Sequence, residues 1–383
     1  MEFMLNNEFS QDAVPKVWVL LNHRAGENAQ VLALAEALGW PFAVKRFAYR
    51  RGVPYLLLGA SLAGIDRQRS DSLTPPWPDL VISASARNEP ICLWIQKQAA
   101  KAGKQVKLVH IGRPWKALKR FDLIITTPQY RLPMRPNVLH NATTLHRVTP
   151  ERLAQEQKRW GVQLAQLPAP RIAVLIGGSS GPYVLDRAAA LQLAKQANEL
   201  AANAGGSLLV TTSARTSDSI LEAFASQISV PAHLFCWAPG QSNPYYAYLA
   251  LADQIIVTSD SVSMLSEACA TGKPVYIFDL DRVERKWEDL TLEHFFAFIY
   301  RMAMRWAPKR LTRDLAQVHA RLIGERRAMW LGEVFPSEPA SDSSTAMMWA
   351  VRRVRSLFEL GVPAEKDRGE FSRSREAMNP AFS

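Results

Sequence analysis

Short apolar runs alternate with helical segments along most of this 383-residue chain, and that alternation restricts it to parallel sheets covered by helices on both faces. Strands buried on both faces read as near-continuous Val, Ile and Leu, and parallel neighbours need a crossover between them. In the first half such runs lie at Val17 to Leu21, Leu80 to Ser83, Val106 to Ile111 and Leu123 to Thr126, with helices expected at Ala29 to Leu38 and Ile91 to Ala102. A connection from Pro128 to Pro170, proline-rich at both ends and polar between, leads to a second set. Strands are expected there at Arg171 to Ile176, Ser207 to Thr211, His233 to Trp237, Gln254 to Val257 and Val275 to Phe278, with helices at Arg187 to Asn203, Asp218 to Gln227 and Tyr245 to Ala250. The fold class is α/β, with two Rossmann-like parallel-sheet domains facing an interdomain cleft. The expected division is a flexible N-terminus (1–15), an N-terminal α/β domain (16–165), a C-terminal α/β domain (166–340), a C-terminal helix (341–360) and a disordered tail (361–383).

Open parallel sheets bind ligands beyond the carboxyl ends of their strands, so the loops that follow the strands carry the candidate chemistry. Val257 to Ala268 reads as a strand end, a loop of small hydroxyl residues and a short helix, ended by Gly272 before the next strand. Ser and Asp at that helix start suit its free N–H groups, and those groups with their dipole can instead hold a phosphate. Ser261, Ser263 and Ser266 are therefore candidate ligands, and Glu267, a turn further on, a candidate acceptor for a ribose diol. Gly177-Gly178-Ser179-Ser180-Gly181, after the Arg171 strand, is a second phosphate candidate, because glycines let the backbone approach a pyrophosphate. Tight strand-to-helix turns need glycine in any case, and the spacing matches neither the dinucleotide fingerprint nor the P-loop. Arg215 follows a strand and suits either a diphosphate oxygen or a carbonyl cap. His23 follows the first strand directly, where an imidazole can take a proton from an acceptor hydroxyl; it is the catalytic candidate.

The net charge of +11 is unevenly placed. From Lys97 to Phe121 there are eight Lys or Arg and no acid, and Lys45, Arg46, Arg50 and Arg51 form a further cluster. No nucleic-acid-binding motif accompanies them, so an anionic membrane surface or a phosphorylated acceptor is the functional expectation, against solvated helix faces. The helix Glu293 to Trp306 is amphipathic and aromatic; packing of its apolar face on the C-terminal domain is expected, with a lipid interface as the alternative. Cys92, Cys236 and Cys269 sit in apolar segments and read as buried reduced thiols, with neither a disulfide framework nor a zinc pattern. Met1 to Pro15 is polar and no run is long enough to span a bilayer. A cytoplasmic protein is expected, with a peripheral hold on the inner face of the cell membrane as an extension.

Several separated blocks in order resemble one family. They are Arg24 to Gln30, Leu34 to Gly39, Val174 to Gly178, Val210 to Thr216, Asn243-Pro244-Tyr245 and, most specific, Val257 to Val275. The two-sheet layout with these blocks is similar to the GT-B glycosyltransferase fold, and the chain resembles the mitochondrial-fission Elm family of GT-B-like proteins over about residues 16 to 360. The resemblance implies a nucleotide-diphosphate sugar as substrate in the C-terminal half, an acceptor, lipid-linked or saccharide, in the N-terminal half, and a role for Glu267 on the ribose. Asn22 stands where it implies an acidic residue, and Gln129-Tyr130-Arg131 where it implies a His-Asp pair. It also implies no metal and no further cofactor, since helix N-termini and basic side chains hold the leaving diphosphate; no Asp-x-Asp motif is read at a strand-end loop. The leading expectation is a metal-independent glycosyltransferase; the alternatives are a nucleotide-sugar epimerase and a non-catalytic membrane adaptor.

Overall fold

A computed structural model describes residues 14–285, 290–335 and 345–359. The expected flexible N-terminus and disordered tail lie almost wholly outside the described residues. Strands form where apolar runs are continuous, because a strand covered on both faces has no polar side. Along the N-terminal half these are β1 (Val17–Leu20), α1 (Ala25–Leu38), β2 (Phe42–Lys45), a short antiparallel pair β3 (Ala48–Tyr49) and β4 (Ile65–Asp66), β5 (Leu80–Ala84), α2 (Glu89–Lys101), β6 (Lys107–Ile111), β7 (Leu123–Thr126) and β8 (Val138–His140). Among the described residues the sheet order is β2-β1-β5-β6-β7-β8, with all neighbours parallel.

The C-terminal half repeats the plan. It runs α3 (Pro150–Leu164), β9 (Arg171–Ile176), α4 (Arg187–Asn203), β10 (Ser207–Thr212), α5 (Asp218–Ala225), β11 (Ala232–Phe235), α6 (Tyr245–Leu251), β12 (Gln254–Thr258), α7 (Val262–Cys269), β13 (Val275–Phe278), α8 (Leu292–Trp306), α9 (Ala316–Gly324), β14 (Met329–Trp330) and α10 (Thr345–Arg355). Its sheet is also parallel, in the order β11-β10-β9-β12-β13-β14. The architecture is thus GT-B-like, two Rossmann-like parallel-sheet halves. They meet through hydrogen bonds from the Thr144 N–H to Ser266 Oγ (3.1 Å), the Asp314 N–H to the Gln129 carbonyl (2.9 Å) and Arg131 to Thr312 Oγ1 (2.7 Å). The last described helix, α10, returns to the N-terminal half, where Ala350 and Val354 are buried with Val31, Leu34 and Leu38 of α1.

Several expectations need correction. The polar connection Pro128 to Pro170 contains β8 and the helix α3, whose start is fixed by Pro150 and by Thr149, which accepts from the Arg152 N–H at 3.2 Å. α3 buries only Leu164 from its own length, so its sequence carries no wide apolar stripe. Strand β14 adds an edge to the second sheet after Arg285, where no further strand was expected. Cys236 is exposed, whereas Cys92 and Cys269 are buried. The acid-free stretch Lys97 to Phe121 finds acids from outside itself: Lys104 pairs with Asp79 at 2.9 Å and Lys107 with Asp122 at 3.5 Å. Finally, α8 does not pack its apolar face on the C-terminal domain; Phe295, Phe296, Phe298, Ile299, Met302 and Trp306 are all exposed.

Candidate functional site

Parallel order brings the carboxyl ends of β1, β5, β6 and β7 to one edge of the N-terminal sheet, and a cavity of about 360 Å³ opens there. After β1, Asn22 ties the loop to the start of α1: its backbone N–H reaches Asn28 Oδ1 (2.8 Å), its amide donates to Glu27 (2.8 Å) and its Oδ1 accepts from the Arg24 N–H (2.6 Å). That brace presents His23 and Arg24 to the cavity. After β5, Ser85 takes a positive φ of 76° and Arg87 follows, its guanidinium 5.1 Å from the centre of the Tyr55 ring and 5.6 Å from that of Tyr49. After β6 comes Arg113, and after β7 Tyr130; Arg313 reaches in from the C-terminal half, hydrogen-bonded to Tyr130 and to Ser180 Oγ at 3.3 Å.

Four guanidinium groups, from Arg24, Arg87, Arg113 and Arg313, therefore line one cavity, with Glu27 as its acid. Burial, and then neighbouring Arg131, hold Arg113 below its ordinary value, so a bound anion would relieve that strain on the charge. Burial, followed by Arg87 and Arg24, also lowers the pKa of His23. The imidazole is consequently neutral near pH 7 and able to accept a proton. Burial is likewise the main cause raising the Tyr130 pKa, which keeps that phenol a hydrogen-bond donor.

In the C-terminal half the glycine loop, the Arg215 loop and the loop after β12 converge, but on a carboxylate of the protein itself. Asp260 accepts from the Gly178 N–H (3.0 Å), from Thr258 Oγ1 (2.6 Å) and from Arg215 Nη2 (2.7 Å). Its side chain has no exposure, against 41% for Arg215. Glycine is required here because a Cβ on Gly177 would stand 2.3 Å from Asp260 Oδ2. Arg215 also caps the Gly178 carbonyl at 2.9 Å. The donors expected to take a diphosphate thus hold Asp260.

The other expected ligands are spread out. Ser179 donates to Glu293 of α8 at 2.7 Å, and Ser180 meets Arg313. Ser261 begins α7 with no side-chain capping bond, and Ser263 Oγ lies 3.1 Å from where a Cβ on Gly26 would stand, so the starts of α1 and α7 abut. Ser266 is fully buried; it donates to the Val262 carbonyl (2.8 Å) and accepts from Thr144, a joint between the halves. Glu267 is buried as well and receives the Tyr245 hydroxyl at 2.6 Å. Burial raises its pKa to about 7, against the pull of Tyr245 and Arg152. Its partners are on α3 and α6, and it does not line the arginine cavity. Asn243 accepts from the Tyr245 N–H at 2.9 Å, one residue before Pro244, which is the N-cap of α6.

Of the residues singled out from the sequence, His23 lines the cavity and Ser180 touches it through Arg313. Arg24, Arg87 and Arg113 were missed as a set, although each stands within a few residues of the end of a parallel strand; that spacing was the available signal. Arg313 follows α8 and carried none. An Asp-x-Asp sequence does stand at a strand end, Asp279-Leu280-Asp281 after β13, contrary to the earlier reading. Its carboxylates face cations of the protein, Asp279 with Arg282 at 3.3 Å and Asp281 with Arg301 at 2.5 Å. Among the described residues no cluster of three His, Cys, Asp or Glu is placed to hold a metal ion.

The family model described as mitochondrial fission ELM1 matches residues 25–311. The mitochondrial fission protein ELM1 of Arabidopsis thaliana is 29% identical over 259 residues, covering 61% of this chain and 58% of the plant protein. The match thus spans less than two thirds of that relative's length. An uncharacterized protein of Rickettsia prowazekii (strain Madrid E) is 25% identical over 298 residues, covering 68% of this chain and 82% of its own. Among solved structures, a UDP complex of MnaA from S. aureus has a TM-score of 0.45 at 13% identity, covering 93% of this chain and 100% of that one. A UDP-GlcNAc 2-epimerase from Neisseria meningitidis bound to UDP-GlcNAc has 0.44 at 13% identity, covering 90% and 99%.

Proposed function

The chain belongs to the mitochondrial fission ELM1 family, and we propose that it is a GT-B-type glycosyltransferase-like protein that binds a nucleotide-diphosphate sugar in its cleft and passes the sugar to a saccharide or lipid-linked acceptor. The arginine-lined cavity carries this reading. Arginine presents a planar fork of donors matched to phosphate oxygens, and such groups gathered around one cavity make an electrostatic site for a polyanion. In the proposed reaction His23 takes the proton from an acceptor hydroxyl as that oxygen bonds to the sugar's anomeric carbon. The bond from that carbon to the diphosphate oxygen breaks, and the nucleoside diphosphate leaves with its new charge held by Arg87, Arg113 and Arg313. The protein would work in the cytoplasm, at the inner face of the membrane when the acceptor is a lipid.

One observation favours a second reading, a non-catalytic adaptor that keeps the fold. The cradle formed by Gly178, Thr258 and Arg215 is filled by Asp260, so those three donors are not open to a phosphate without rearrangement. Calorimetry with UDP-, ADP- and GDP-sugars separates the two. On the enzyme reading one of them binds, Arg87→Ala and Arg113→Ala each weaken it by on the order of tenfold or more, and product forms only when acceptor is added. Absence of binding by every nucleotide sugar would sink that reading and leave the adaptor; an epimerised sugar nucleotide in the acceptor-free reaction would replace it with an epimerase.

A further inference from the structure

Helix α8 is mounted with its sides reversed. A surface helix ordinarily buries its apolar stripe and shows water its charges. Here the polar side faces the protein. Glu293 accepts from Ser179 Oγ at 2.7 Å, and His294 Nε2 lies 3.0 Å from the Asp186 carboxylate. Tyr300 accepts from the Arg313 N–H (2.7 Å), and Arg301 bonds Asp281 (2.5 Å) and the Pro182 carbonyl (2.9 Å). From the helix itself only Ala297 is buried. The opposite side carries Leu292, Phe295, Phe296, Ile299, Met302 and Trp306, all exposed, Leu292 at 76% and Trp306 at 74%.

From this geometry we infer that α8 docks the protein on an anionic bilayer surface, its apolar side entering the headgroup region. Charge chooses this occupant over a second copy of the chain. The apolar side ends in Arg305, Lys309 and Arg310, and Arg310 sits 5.2 Å from the Trp115 ring in the basic Lys97 to Arg120 stretch. Two copies meeting on this face would bring those like charges together, whereas anionic headgroups neutralise them. Aromatic and aliphatic side chains flanked by Arg and Lys are the composition that partitions into an interface. The polar anchors hold α8 in this orientation without lipid, so no refolding of the helix is needed.

The position of α8 ties docking to the cleft. Its inner side rests on Ser179 and, through Tyr300, on Gly181, and the turn that follows it meets the cavity residue Arg113 through the Lys309 carbonyl at 2.5 Å. Leu56 lines the cavity and its neighbour Leu57 is 82% exposed, a second apolar point at the rim. A docked α8 would therefore hold the cavity mouth close to the headgroups, within reach of a lipid-borne phosphate. This last step rests on the acceptor reading above; docking itself does not.

Sedimentation with phosphatidylcholine vesicles, with and without phosphatidylglycerol and without any nucleotide sugar, tests docking alone. Binding should require phosphatidylglycerol and weaken with salt. The combined change Phe295→Ser, Ile299→Ser and Trp306→Ser should reduce partitioning by about tenfold or more, while the leucine replacements at Phe295 and Ile299 keep most of it. Val162→Ser, an exposed apolar site on α3, should leave binding unaltered. Quenching by brominated lipid should be stronger in the wild type than in Trp306→Phe. The melting temperature and nucleotide affinity of the serine variant serve as checks that the fold and cleft persist. Absence of sedimentation on any vesicle overturns the inference, as does wild-type binding by the serine variant. So would a dimer in sedimentation equilibrium that the serine variant splits, which would assign the face to self-association.

Discussion

Replacing Asp260 by alanine tests whether the glycine-loop cradle is organised around the protein's own carboxylate. The change removes the acceptor for the Gly178 N–H, the Thr258 hydroxyl and the Arg215 guanidinium. Hydrogen bonds to a charged group contribute about 1.5–3 kcal/mol each, and the first two donors are buried. The Arg215 bond is discounted to about 0–1 kcal/mol, because that side chain is 41% exposed and water can replace the partner. Relief of the carboxylate's own desolvation offsets part of the total, so a net loss of about 2–4 kcal/mol is expected. For a cooperative unit the size of the C-terminal half, that corresponds to a melting temperature lower by about 4–16 °C.

The variant should also gain something. With Asp260 gone, the same donors face a space once filled by two carboxylate oxygens, and inorganic phosphate supplies oxygens of the same kind. An anion that binds the folded form at tenfold its Kd stabilises by about 1.4 kcal/mol. Phosphate should therefore raise the variant's melting temperature more than the wild type's, with chloride as control at equal ionic strength; any response from the arginine cavity is common to both and cancels. Differential scanning fluorimetry and urea unfolding measure the two quantities. A stability loss under about 1 kcal/mol, or equal phosphate responses, would refute the reading that Asp260 occupies a phosphate-like position.

Gly177→Ala alone should cost on the order of 2–4 kcal/mol, since its Cβ would stand 2.3 Å from Asp260 Oδ2, but should be close to neutral in the Asp260→Ala background; a strictly additive double-mutant cycle in urea would reject the contact as the cause. Glu267→Gln concerns pH. Burial raises the Glu267 pKa from an ordinary 4.5 to about 7, so its contribution to stability is full below about pH 4.5 and declines as pH rises through about 7. Relative to wild type, the glutamine variant should thus gain stability above pH 7 and little at pH 5; a gain that ignores pH would contradict this. His23→Asn should lower transfer rates by about 10²–10⁴-fold while nucleotide-sugar affinity stays within a few fold, and parallel losses in both would make His23 a binding residue instead.

The two sheets were legible because their strands are covered on both faces. Val17–Leu20 and Ile172–Ile176 are buried at every position, so the sequence shows unbroken apolar runs with nothing to confuse them. β2 and β11, at the edges, bury far less, and β14 spans only Met329 and Trp330. α3 hid in the proline-bounded connection because its outward face is charged along its length. The arginine cavity was only half legible. Three of its cations follow strand ends, as ligand residues in open sheets do, but Arg313 arrives from the far half through Tyr130 and Ser180, a meeting that no local spacing encodes.

In the glycine loop and in helix α8 alike, a local pattern specifies a need and not what meets it. Glycines at 177 and 178 declare that something must approach the backbone closely, and an N–H cradle beside a guanidinium declares that the visitor is an anion. A phosphate and a buried aspartate satisfy both demands equally. Only the fold reveals that β9 and β12 are hydrogen-bonded neighbours, and this places Asp260, two residues beyond the end of β12, over the turn that follows β9. Helix α8 repeats the lesson on a larger scale. Its period states that one side is apolar, and the default is to turn that side inward. The acceptors and donors awaiting it on the C-terminal half, Asp186, Asp281, Ser179 and the Pro182 carbonyl, are polar, and they turn it the other way. Orientation was thus decided by the surface receiving the helix, which is why an amphipathic sequence read by itself pointed to a core and the structure presents an exposed face.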